Sequence, residues 1–404
     1  MMYSKDKFQI TKISYKMADK RKILVITGTR AEYGLMRWII QYLQDDSDLE
    51  LQIVATGMHL SPEFGLTFKT IIEDGFVINK KVEMLLSSDT SIGLSKSMGL
   101  GMISFSEVYN DLNPDVILVL GDRFEIFAAV ASAMVSRIPV AHIHGGEATE
   151  GLIDEPIRHS ITKMSHIHFT ATEAYRNRVI QLGEQPDKVF YTGTPGLDNI
   201  SKLKLYNKDE FEKSINFEIG EKCFLVTFHP VTLEKGTSAH QFDELLEAIE
   251  YFNDYKVIFT LPNADTDGRI VIEKIQQYVS LNSNKSVAFT SMGQIRYLSA
   301  LKYVSMVIGN SSSGLTEVPS FKIPTINIGD RQQGRIKADS VIDCLPTKEE
   351  IIKSISLGLS LEFQSKLSNI QNPYGSGGAS KKIVEILKNI DLKNVLKKQF
   401  YNII

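Results

Sequence analysis

The stretch ILVITGTRAEYGLMRWIIQYL, from Ile23 to Leu43, decides the fold. Ile23 to Thr27 form a short apolar, β-branched run. Gly28 to Gly34 bring glycine, hydroxyls and charge, and Leu35, Met36, Ile39, Ile40 and Leu43 then recur at helical spacing. A buried strand, a glycine-bearing turn and an amphipathic helix in that order make the opening unit of a parallel α/β fold.

The unit repeats along the chain. In the first half the predicted strands are Ile23–Thr27, Leu51–Val54, Val116–Leu120, Val140–Ile143, Ile167–Thr170 and Val189–Tyr191, and the helix 124–135 is apolar enough to be buried on several sides. A polar, lysine-rich stretch from Asn199 to Lys222 interrupts the rhythm. It resumes with strands at Phe224–Thr227, Val257–Thr260, Val287–Thr290, Met306–Ile308 and Thr325–Ile328. The chain of 404 residues therefore reads as α/β, with two Rossmann-like doubly wound domains facing a cleft. Residues 22–200 form the first, 201–375 the second, nucleotide-binding one. Residues 376–404 carry a terminal helix expected to pack back on the first, and residues 1–21, polar and lysine-dotted, read as a disordered extension. Two such lobes place the C-terminal ends of their strands around one cleft, where ligands bind.

Composition narrows the partners. Lys and Arg number 45 against 48 Asp and Glu, which leaves no basic excess to hold a phosphate backbone, so nucleic acid is not expected. No apolar run approaches the roughly 20 residues that cross a bilayer. Cys223 and Cys344 stand apart without metal-type spacing, which fits a reducing cytoplasm and no disulfide framework.

Several segments carry groups suited to chemistry. Thr27 to Gly34 lies between strand and helix, where free N–H groups and Arg30 would favour an anion, though an ordinary βα turn reads the same way. The spacing is not GxGxxG, so a nicotinamide cofactor is not indicated. Asp122 and Arg123 end the most apolar strand, where a carboxylate suits a general base and a structural Asp–Arg pair is the plain alternative. His142-Ile143-His144-Gly145-Gly146-Glu147 puts two histidines on one strand face. Packing explains such histidines equally, and zinc would need a third ligand that the spacing does not supply. Asp154 and Arg158 open a helix and stand four apart, as a helical ion pair would. In the second half His229 precedes Pro230 and is held extended, pointing into the cleft. Ser311, Ser312, Ser313 and Gly314 precede a helix carrying Glu317, offering hydroxyls to a diphosphate and a carboxylate to ribose, or simply an N-cap. Arg331 and Arg335 follow the last strand, with Arg331 the better ligand candidate.

Taken together, these segments resemble the hydrolysing UDP-N-acetylglucosamine 2-epimerases of bacterial sialic acid synthesis, and more distantly the non-hydrolysing enzymes. The resemblance runs from about Lys22 to Leu387 through TGTRAEYG (27–34), TGMH (56–59), LGDRFEIF (120–127), HIHGGE (142–147), DEPIRHSITKMSH (154–166), FHP (228–230), GNSSSGLTEVPS (309–320) and NIGDRQQGR (327–335). It implies a GT-B-like fold, a homodimer or homotetramer, no cofactor or metal, and a UDP-sugar as partner. It implies anti-elimination of UDP to a 2-acetamidoglucal, followed by addition of water at C1 and of a proton at C2 on the opposite face. It places Arg30, Gly34, His59, Asn263, Ser311, Ser312, Ser313, Gly314, Glu317 and Arg331 at the substrate and nucleotide. Asp122, Arg123, His144, Glu147, Asp154, Arg158 and His229 fall on the catalytic side. Histidine at 144, where the animal and non-hydrolysing enzymes carry glutamate, matches the bacterial hydrolysing pattern. UDP-N,N′-diacetylbacillosamine is the competing substrate. A GT-B glycosyltransferase and a catalytically dead sugar-nucleotide sensor are the more distant alternatives.

Overall fold

In a computed structural model the described residues are 20–86, 90–149, 153–230, 237–262 and 268–403. The extension 1–21 therefore lies almost wholly outside them, as does Asn263.

Thirteen strands are described: β1 (Arg21–Thr27), β2 (Leu49–Thr56), β3 (Lys80–Val82), β4 (Val116–Leu120), β5 (Val140–Ile143), β6 (Ile167–Thr170), β7 (Val189–Tyr191), β8 (Cys223–Thr227), β9 (Lys256–Thr260), β10 (Ser286–Phe289), β11 (Met306–Gly309), β12 (Thr325–Ile328) and β13 (Val341–Cys344). They form two sheets, ordered β3-β2-β1-β4-β5-β6-β7 and β10-β9-β8-β11-β12-β13. Every pairing is parallel; Ile23 lies opposite Val116, for instance, and Met306 opposite Phe224. In each sheet the order reverses beside its first strand, the switch point at which doubly wound proteins hold their ligands.

The apolar runs become the central strands because helices cover both faces: β4 is buried along its whole length. Helix α1 (Arg30–Asp45) lays Met36, Ile39, Ile40 and Leu43 on one face of the first sheet. Helix 124–135 buries Ile126 and Ala128 to Ala133 on the other, with Ser91–Leu112 packed beside it. The interrupting stretch after Asn199 is not bare loop, since it carries helices at Asp198–Lys202 and Lys208–Ile215. The last helix, Ala379–Asn389, returns to the first lobe and puts Ile383, Val384 and Leu387 into the core around α1. Beyond it the Tyr401 amide donates to the Gly183 carbonyl at 2.9 Å, so the tail runs on across that same lobe.

Candidate active site

The first-lobe groups meet where β4 and β5 end. Arg158, buried on the helix Asp154–Met164, forms an ion pair with Asp122 and a second with Glu155 at 2.9 Å. It also donates to the Glu147 carbonyl and to Thr149 Oγ1, both at 3.0 Å. The plain alternative, a helical ion pair of Asp154 with Arg158, is not what forms: the guanidinium points inward to Asp122, and Asp154 stays half-buried at the helix start. Burial and the neighbouring Asp122 carboxylate raise Asp154 above the usual carboxylate range. Asp122 and Arg123 do not pair with each other either, because Arg123 Nε binds Glu125 Oε1 at 2.7 Å.

His144 sits just past β5 with φ of 68°, in the left-handed region where a non-glycine residue is held at a cost of about 1–3 kcal/mol. Its Nε2 meets Thr194 Oγ1 at 2.9 Å and its Nδ1 faces Glu147 Oε1 at 3.6 Å. Burial lowers its pKa, against the pull of Glu147. The paired histidine His142 faces elsewhere: Nε2 meets the Gly121 carbonyl at 2.7 Å and Nδ1 meets Thr162 Oγ1 at 3.2 Å. His142 is therefore a packing residue, and among the described residues no group of three or more His, Cys, Asp or Glu side chains converges on a metal position.

The turn after β1 differs from expectation. The Gly28 and Thr29 amides are already occupied by Glu32 Oε2, at 2.7 and 3.3 Å, while Thr29 Oγ1 caps the Glu32 amide. This capping box leaves those amides nothing for an anion. Arg30 remains exposed beside the turn, and its guanidinium approaches Gly293 of the second lobe. Beneath the turn lies Glu125, fully buried, so close to Gly28 that a Cβ there would stand 2.6 Å from Glu125 Cγ. Glu32 Oε1 and Glu125 Oε2 are both buried without a hydrogen-bond partner. Burial, reinforced by the Glu125 charge, pushes the Glu32 carboxyl up to about 8. Sequence reasoning passed over both glutamates, although the Thr-x-x-Glu signature of a capping box was there to find the first.

Two residues expected at the ligand, His59 and Gly34, make their hydrogen bonds within the first lobe. His59 has no exposed surface, and its ring nitrogens meet Thr27 Oγ1 at 3.1 Å and Thr67 Oγ1 at 2.8 Å, so it ties the β1 and β2 loops together. Gly34 lies inside α1, with its carbonyl accepting from Asn199.

In the second lobe Asn310 organises the cleft wall. Its side chain brackets the backbone of His229, accepting from the amide at 2.7 Å and donating to the carbonyl at 2.8 Å. Its own carbonyl receives Arg331 Nη1 at 3.0 Å and Gln332 Nε2 at 2.8 Å. His229 follows β8, its Nδ1 is buried without a partner, and burial with Arg331 nearby lowers its pKa to about 3. Ser312 precedes the short helix Ser313–Thr316 with no side-chain capping bond; instead Ser311 Oγ accepts from the Ser313 amide at 3.4 Å, and Ser313 Oγ donates to Tyr297 at 2.7 Å. Glu317 falls just past that helix rather than on it, with burial raising its carboxyl, and one of its oxygens faces Gly196 of the first lobe. Gly314 lets the helix sit on β12, where Thr325 Oγ1 donates to its carbonyl at 2.8 Å. Arg335, ranked behind Arg331 on sequence, reaches the first lobe, its Nη2 lying 3.5 Å from Glu147 Oε2.

The loops after the strands of both sheets thus face each other, with carboxylates, His144, Arg123 and Arg158 on one wall and the serines, His229, Arg331 and Arg335 on the other. That is the layout of a two-lobed nucleotide-sugar enzyme. A family model described as UDP-N-acetylglucosamine 2-epimerase matches residues 41–388, and the chain belongs to that family. It is 42% identical over 386 residues to the GDP/UDP-N,N′-diacetylbacillosamine 2-epimerase (hydrolyzing) of Campylobacter jejuni, covering 95% of this chain and 100% of that protein. It is also 42% identical to polysialic acid biosynthesis protein P7 of Escherichia coli, over 95% of this chain and 98% of that one. The crystal structure of UDP-GlcNAc 2-epimerase from Neisseria meningitidis bound to UDP-GlcNAc shares the fold at a TM-score of 0.79 and 23% identity, covering 91% of this chain and 99% of that one.

Proposed function

We propose that the chain is a hydrolysing 2-epimerase that converts UDP-N-acetylglucosamine and water to N-acetylmannosamine and UDP, through a 2-acetamidoglucal, in sialic acid biosynthesis. The observation that carries the reading is the junction at the cleft. There a buried arginine fixes Asp122, His144 and Asp154 stand beside it, and Arg335 of the opposite lobe closes on Glu147.

The C2 hydrogen of the sugar is a weak acid, so its removal is coupled to the departure of UDP, and cations at the diphosphate stabilise that leaving group. Arg30 and Arg331 supply them from the two walls. Inversion at C2 requires one group to remove a proton and another to return one on the opposite face. A neutral imidazole at His144 and the raised carboxyl of Asp154 are two chemically distinct groups of that kind, with Asp122 ion-paired to Arg158. Arg123 and His229 complete the ring of polar groups, Ser311, Ser312 and Glu317 line the nucleotide side, and Asn263 joins them by resemblance. No step calls for a cofactor. The two free, buried cysteines fit a reducing cytoplasm. An assembly of two or four copies would cover the exposed Ile92 and Ile103 on the helix Ser91–Leu112.

A second substrate is favoured by specific likenesses. The Campylobacter protein and a Legionella pneumophila relative, 37% identical over 92% of this chain, are both named for UDP-N,N′-diacetylbacillosamine. An NMR time course with each nucleotide sugar, without metal or acceptor, tests both readings. Free C2-inverted sugar with equimolar UDP is the expected product, and the faster substrate names the pathway. Release of an epimerised sugar still bound to UDP would identify a non-hydrolysing enzyme instead.

A further inference from the structure

We propose that Arg335 is a positioning residue that reaches across from the second lobe, holds Glu147, and through it fixes the orientation and charge state of His144. The inference rests on His144 being a proton-transfer group of the site proposed above.

A closed ring of contacts carries it. Arg335 Nη2 lies 3.5 Å from Glu147 Oε2, and the other oxygen of that carboxylate faces His144 Nδ1 at 3.6 Å. The far side of the imidazole, Nε2, meets Thr194 Oγ1 at 2.9 Å. The Thr194 amide donates to the Tyr374 carbonyl at 3.0 Å, and Tyr374 Oη donates to the carbonyl of Ile336, the residue next to Arg335, at 2.9 Å. Tyr175 Oη accepts from the Ile336 amide at 3.1 Å, so both backbone groups of that residue are held by phenols. His144 and Arg335 are thus joined by two routes, one through Glu147 and one through Thr194, Tyr374 and Ile336, and His144 sits in this ring with its φ in the left-handed region. Arg335 Nε is buried without a hydrogen-bond partner, and Glu147 is the carboxylate within ion-pair distance of its guanidinium among the described residues.

The charges facing His144 are Glu147 and Arg335, with Asp122 and Arg158 further off. Burial disfavours a proton on the imidazole, and Arg335 offsets part of the opposing pull of Glu147. Without that guanidinium, the carboxylate would draw one from solvent onto the ring. The second lobe thereby sets whether His144 can accept a proton, and only when the cleft is assembled.

Histidine side-chain NMR of the full chain tests this without substrate. Eight histidines give a tractable spectrum. His144→Asn, suited to a left-handed backbone, assigns the resonance. Arg335→Gln is expected to raise the His144 midpoint by about one pH unit, and Arg335→Lys to bring it back toward wild type. An unmoved midpoint in folded Arg335→Gln would overturn the proposal. Should that variant not fold, Glu147→Gln decides: the midpoint falls if the pair acts as described, and an unchanged value refutes it. In turnover assays the acidic limb of kcat should move upward with Arg335→Gln while KM holds. A raised KM with a fixed limb would make Arg335 a ligand contact instead. Because the titration needs no substrate, failure of this proposal and failure of the epimerase reading separate cleanly.

Discussion

At the residue scale, two buried carboxyls share one guanidinium. Glu32 and Glu125 each keep one oxygen unpartnered, and of the two carboxyls the Arg123 guanidinium hydrogen-bonds Glu125, while its Nη2 turns to Met58 Sδ at 3.4 Å. Charge balance in a buried site therefore favours a proton on Glu32, in line with its rise to about 8. A carboxyl raised in the folded state binds more protons there than when unfolded, so its contribution falls as pH climbs from about 4.5 to about 8. Depressed histidines such as His229 act the other way, but only below their ordinary value near 6.5. Between pH 6.5 and 8, then, Glu32→Gln should gain stability over wild type by about 2 kcal/mol, as read from urea midpoints. A parallel trend in the two proteins would contradict the assignment. Glu125→Gln should instead loosen Arg123 and raise KM roughly tenfold or more, the loss of one charge-assisted hydrogen bond of about 1.5–3 kcal/mol. Little of this was legible beforehand. The motif GDR marked Asp122 and Arg123, but which carboxylate each would meet depends on contacts from residues far apart in sequence.

At the scale of elements, legibility follows apolar content. The fully buried strands were read almost to the residue, because β-branched runs such as Val116–Leu120 admit little else. The strands missed are both edges: β3, with two lysines in three residues, and β13, with Asp343 inside it, carry no apolar run. The cleft loops depend on backbone that only glycine permits. Gly309 ends β11 with φ of 134°, and a Cβ there would lie 1.9 Å from the Thr227 carbonyl oxygen. Gly309→Ala should force β11 from β8 and displace Asn310 from His229. The expected cost is about 3 kcal/mol or more, with turnover lost; a wild-type melting temperature would refute the packing described.

At the scale of the molecule, the two lobes are stitched by residues distant in sequence. Leu387, seventeen positions from the last residue, Ile404, belongs to the core around α1. Leu387→Ala should cost about 2–5 kcal/mol and melt the first lobe, seen as lost protection of the α1 amides in hydrogen exchange. The two-lobed plan and the return of the last helix could be expected from the repeating rhythm. The ring through His144, Glu147, Arg335, Ile336, Tyr374 and Thr194 could not, because four separated segments build it. If copies associate through the helix Ser91–Leu112, Ile92→Glu with Ile103→Glu should reduce the sedimenting mass, whereas an unchanged mass would place the interface elsewhere.

The central claim is cleavage of the sugar C1–O bond with inversion at C2. Turnover of UDP-N-acetylglucosamine, or its diacetylated relative, in D2O enriched with 18O reads both events by mass spectrometry and NMR. The expected products are a free, C2-inverted sugar bearing one deuterium at C2, and UDP containing no 18O. Retained hydrogen and configuration at C2, or 18O in the UDP phosphate, would contradict that claim.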